Sequence, residues 1–139
     1  MSNKTQIIII DEDKDFVDAI SERLKACGFL SAGITNGAQL FQLLSKFKPD
    51  LLIFSSKLKN PTWIEIIERV KNSSVINHEI PIIATCYEVS PGLIQLVKVH
   101  GLKKILKKPI IFQDFLKTIN EITASPEKPE DRSQKTDDR

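Results

Sequence analysis

Hydrophobic and polar positions alternate along this chain in two rhythms. Short apolar runs occur at TQIIII (5–10), FLSAGI (29–34), LLIF (51–54), IPIIATC (80–86) and KKIL (103–106). Between them, apolar residues recur every three or four positions. A continuous β-branched run such as Ile7–Ile10 predicts a strand buried on both faces, since a half-exposed strand would alternate apolar with polar residues. FLSAGI is a weaker strand. The first helical stripe is Phe16, Val17, Ile20 and Leu24, with Gly28 as its stop. The second is Leu40, Phe41, Leu43, Leu44 and Phe47, ending before Pro49. Pro61 or Thr62 opens the third, which carries Trp63, Ile64, Ile66, Ile67 and Val70. Ser90-Pro91 reads as an N-cap with proline at the first helical position, and Gly101 closes that helix. Ile111, Phe112, Phe115, Leu116, Ile119 and Ile122 mark the last helix, after Pro109.

Five β–α units within about 124 residues predict an α/β protein with a parallel sheet covered by helices on both faces. Right-handed crossovers leave few topologies. The expected one is the flavodoxin-like (βα)5 doubly wound sheet of order 2-1-3-4-5, whose ligands bind beyond the carboxyl ends of the strands. Those ends carry Asp11-Glu12-Asp13, Ser55-Ser56, Thr85-Cys86 and Lys107-Lys108-Pro109.

Composition narrows the class. The 139 residues are 41% hydrophobic and 27% charged, ordinary for one globular domain. Residues 125–139 hold no aliphatic or aromatic side chain, so the expected domain is 1–124 and the polar tail is expected to be disordered. The formal charge of +2 divides into +3 on residues 1–124 and −1 on the tail, too mild to argue nucleic-acid binding. No apolar run approaches the roughly 20 residues that span a bilayer. The N-terminus lacks the apolar length of a signal peptide, so a cytoplasmic location and no membrane partner are expected. Cys27 and Cys86 are too few for a disulfide framework and read as two buried free thiols. Lone His78 and His100 read as surface residues, Trp63 as core or half-buried, and Gly28, Gly33, Gly37, Gly92 and Gly101 as turn and cap positions.

The segments IIIIDEDKDF, PDLLIFSSKL, IPIIATC and GLKKILKKPI together resemble the receiver domain of two-component response regulators. The resemblance spans residues 5–123. It implies that the family's magnesium-holding acidic pair falls on Asp11 and Glu12, and its phosphoaccepting aspartate on Ser55. The switch Ser/Thr falls on Cys86 by counting back from the Lys-Pro pair, or on Thr85 with one residue displaced. The invariant lysine falls on Lys108 and the aromatic rotamer switch on Ile105. Ser55 supplies a neutral hydroxyl with no histidine base beside it and removes one hard oxygen ligand. Ile105 has no ring to swing, and a cysteine bonds a phosphoryl oxygen poorly.

These departures predict a degenerate receiver, or pseudo-receiver, that is not an enzyme. It needs no cofactor and binds magnesium at most weakly at Asp11 and Glu12. Lys98, Lys103, Lys104, Lys107, Lys108 and Lys117 cluster with no acid between Glu88 and Asp114. The resemblance implies that partners meet this region, so the expected partner is an acidic signalling protein, and the chain a monomer or weak homodimer. A conventional phosphorelay regulator with an unorthodox site is the first alternative. Nucleic-acid binding through the lysine face is the second; the chain has no aromatic stacking platform there.

Overall fold

A computed structural model describes residues 4–74, 76 and 79–123. Eleven elements alternate along the chain: β1 Gln6–Ile10, α1 Lys14–Ala26, β2 Leu30–Ile34, a 3-10 turn Gly37–Gln39 running into α2 Leu40–Leu43, β3 Leu51–Ser55, α3 Trp63–Lys71, β4 Ile82–Cys86, α4 Pro91–Val99, β5 Lys104–Lys107 and α5 Phe112–Thr123. The five strands form one parallel sheet in the order β2-β1-β3-β4-β5, as expected. His78 and the tail from residue 124 lie outside the described residues.

The sheet separates two apolar layers by strand alternation. Ile8, Ile10, Leu52, Phe54, Ile82, Ala84 and Cys86 face α2, α3 and α4, where Leu40, Leu44, Trp63, Ile66, Ile67, Val70, Leu93 and Val97 complete the layer. Ile7, Ile9, Leu51, Ile53 and Ile83 face α1 and α5, packing with Val17, Ile20, Leu24, Phe115 and Ile119. All four isoleucines of β1 are fully buried, each contributing roughly 1.5–3 kcal/mol.

Local chemistry sets the helix ends. Asp13 caps α1 by accepting from Phe16 N–H. Thr62 and Glu65 form a reciprocal capping box on α3. Ser90 caps α4 ahead of Pro91. The second helix is shorter than its apolar stripe suggested. Past Leu43 three-residue bonds, Ser45 N–H to Gln42 O and Lys46 N–H to Leu43 O, mix with one four-residue bond, Phe47 N–H to Leu43 O, while the Ser45 hydroxyl also donates to Gln42 O.

Two expectations are corrected. Cys27 is exposed, not buried, because it is the C-cap residue of α1 and lies outside the buried stripe. Gly33 lies within β2 rather than at a turn, and the reason is close packing. A Cβ there would stand 2.1 Å from Val17 Cγ1 of α1.

Candidate functional site

The carboxyl ends of β1, β3, β4 and β5 converge on a buried ion pair. Asp11 follows β1 directly, and its N–H donates to Ile34 O of β2. Its side chain is 1% exposed. Lys108 follows β5, and its N–H donates to Cys86 O at 2.7 Å. The Lys108 ammonium reaches Asp11 Oδ2 at 2.6 Å, across 97 residues of sequence. The other carboxylate oxygen, Oδ1, accepts from Asp13 N–H at 2.9 Å. Burial pushes the Asp11 carboxyl above its ordinary range, while the Lys108 hydrogen bond and the Asp13 amide pull it back down.

Two aromatic rings complete the surroundings of the ammonium. It lies 4.2 Å from the Phe16 ring centroid and 4.9 Å from that of Tyr87. Ring faces carry negative potential and attract a partly desolvated cation. Sequence reasoning placed Phe16 in the helical stripe of α1 and gave Tyr87 no role. The available signals were an aromatic three residues after Asp13 and another directly after β4.

Ser55 ends β3 and is 3% exposed. Its hydroxyl accepts from Lys57 N–H at 3.1 Å. Ser56 begins the loop and continues the ladder through its N–H to Thr85 O. The register sets Ser55 opposite Thr85. By strand alternation, Asp11, Ser55 and Thr85 point to the same side of the sheet as Ile9, Ile53 and Ile83. The Thr85 hydroxyl donates to Phe54 O. Cys86 points the other way, into the layer under α3 and α4, at 4% exposure. Of the two residues counted toward the switch position, the fold brings Thr85 beside Ser55 and puts Cys86 in the core. Burial raises the Cys86 thiol, with the Lys107 charge acting in the opposite direction. Ile105 packs against the same layer as Cys86. Glu12 is exposed.

Magnesium takes hard oxygen ligands in a near-octahedral shell. Here both Asp11 oxygens already accept hydrogen bonds, one from an ammonium, and Ser55 offers a neutral hydroxyl. Among the described residues, no three His, Cys, Asp or Glu side chains gather in one place. With Ser55 where the receiver pattern has a carboxylate, the donor set is poorer in anionic oxygen than that pattern implies.

The lysine cluster divides. Lys98, Lys103, Lys104, Lys107 and Lys117 are exposed, whereas Lys108 turns inward to Asp11 and leaves the surface group. Beside them α4 exposes Ile94, Leu96 and Val99. His100 is half-buried at the end of α4 and Trp63 is in the core. No helix among the described residues is long and apolar enough to cross a membrane.

The polar-differentiation response regulator DivK of Brucella anthropi is 22% identical over 113 residues, covering 81% of this chain and 91% of that protein. DivK of Brucella ovis is 23% identical over 116 residues, covering 83% and 94%. Among solved structures, the chemotaxis response regulator CheY4 of Vibrio cholerae superposes with a TM-score of 0.77 at 22% identity, covering 86% of this chain and 99% of that one. The receiver domain of sensor histidine kinase PA1611 of Pseudomonas aeruginosa, with a magnesium ion coordinated in its active-site cleft, gives 0.76 at 15% identity, covering 88% and 100%. The response regulator receiver domain profile matches residues 7–120. The chain therefore belongs to the response regulator receiver domain family of two-component signalling.

Proposed function

We propose that this receiver signals through protein–protein contact in one fixed conformation, without aspartyl phosphorylation. One observation carries the reading: at the end of β3, where receivers place the phosphoaccepting carboxylate, stands the buried neutral hydroxyl of Ser55. A hydroxyl becomes a nucleophile only when a base takes its proton. The Asp11 carboxylate nearest that role is engaged by Lys108 and the Asp13 amide. Ile105, an aliphatic residue at the aromatic switch position, supplies packing and no swinging ring. The pocket needs no cofactor in this reading, and the chain is no enzyme.

The test is chemical. Acetyl phosphate or beryllofluoride is added with magnesium, and backbone amide shifts are followed. No change localised at Ser55 and β5 is expected; such a change would overturn the reading.

The partner meets the exposed lysines of α4, β5 and α5. Five positive side chains with the apolar Ile94, Leu96 and Val99 beside them favour an acidic signalling protein. Reversing Lys103 and Lys104 to glutamate abolishes partner capture in a pull-down, whereas unchanged capture argues against this face.

A further inference from the structure

The unusual feature of the pocket is what surrounds its cation. Lys108 is held by one carboxylate oxygen and two aromatic rings. That combination suits an organic ammonium, which is weakly enough hydrated to lie on ring faces. It does not suit magnesium, which keeps its waters and takes oxygen ligands in a strict octahedron. The Lys108 backbone is anchored as well, by its N–H to Cys86 O. The ammonium therefore sits at the end of a fixed tether rather than on a mobile surface chain.

We propose that the Lys108 ammonium is the resident cation of this pocket, and that a divalent metal ion binds only by displacing it from Asp11. In this arrangement lysine and metal are competitors. Ser55 is part of the cause: with no second carboxylate at the end of β3, a metal ion and an ammonium cannot both be neutralised. Glu12 is exposed, and its charge acts on Asp11 from the solvent side. The inference concerns the pocket's cation alone and stands whether or not Ser55 can be phosphorylated.

The experiment uses the full chain and magnesium chloride, with no phosphoryl donor. The first readout is the Lys108 side-chain ammonium signal in ¹⁵N-detected NMR. A caged ammonium exchanges its protons slowly enough to be seen, and the signal should fall only in step with magnesium occupancy. Its absence before magnesium is added, or its persistence while the Asp13 and Lys57 amides report bound magnesium, overturns the proposal. The second readout is magnesium affinity from the amide shifts of Asp13 and Lys57. Lys108→Met keeps the length of the side chain and removes its charge, so it should bind magnesium at least about tenfold more tightly than the natural protein. Equal affinity in the two proteins also overturns the proposal. If Lys108→Met does not fold, the ammonium signal of the natural protein decides alone. Beryllofluoride, which probes phosphorylation, is absent, so failure here is distinct from failure of the adaptor reading.

Discussion

Removing both members of the Asp11–Lys108 pair should cost less than the two single removals added together. At 2.6 Å and an effective dielectric of about 20, the attraction is roughly 6 kcal/mol. Desolvation of two ions, several kcal/mol each, offsets most of it. The net contribution of the pair is therefore small, while the coupling within it is large. Lys108→Met leaves a buried carboxylate and loses both ring contacts, for an expected cost of about 3–5 kcal/mol at neutral pH. Asp11→Asn leaves the ammonium on its rings with an amide oxygen as acceptor, and should cost about 2–3 kcal/mol. The double variant is uncharged and should fall about 2–3 kcal/mol below the sum of the singles.

Urea unfolding followed by the fluorescence of Trp63, the sole tryptophan and 6% exposed, measures all four proteins. The pH dependence supplies a check of sign. A carboxyl whose folded value is raised above the ordinary 3.8 destabilises the fold when ionised. That penalty is present above the folded value and disappears below the unfolded one. Lys108→Met removes the group that lowered Asp11, so its deficit should shrink as pH falls through the raised value. Additivity within about 0.5 kcal/mol would refute the coupled pair.

Gly33→Ala should destabilise by about 1–3 kcal/mol, because its Cβ overlaps Val17 Cγ1 in the layer under α1. In a Val17→Ala background the same change should be near neutral, and urea midpoints compare the two. Iodoacetamide at neutral pH should alkylate exposed Cys27 and spare Cys86, whose thiol burial raises; equal labelling in the folded protein, read by peptide mass, contradicts the placement of Cys86.

The sheet was legible because most strands announced themselves locally, with FLSAGI the weaker signal. Four consecutive isoleucines leave little choice but a doubly buried strand, and Ser90-Pro91 marks a helix start unaided. What the sequence hid was decided by distance in space. Lys108 sits in a run of lysines, and only the receiver resemblance set it in the pocket; its contact with Asp11 spans 97 residues. The choice between Thr85 and Cys86 could not be made by counting, because the count crosses α4 and its loops. Strand pairing sets Thr85 beside Ser55 and alternation turns Cys86 into the core. Phe16 looked like helix stripe and is half-buried against the ammonium. Gly33 looked like punctuation and is instead a contact between α1 and β2.

The caged ammonium has a consequence for how such a protein carries information. A switch reports on a ligand only if its occupancy follows the ligand's concentration. If Lys108 is the pocket's resident cation, as proposed, the occupant is attached to the chain, at a local concentration fixed by its tether. The occupancy of a downstream partner then depends on how many copies of the chain exist and how long each survives. On the adaptor reading, control passes from the state of the molecule to its abundance, and synthesis and proteolysis do the signalling that phosphate does in other receivers.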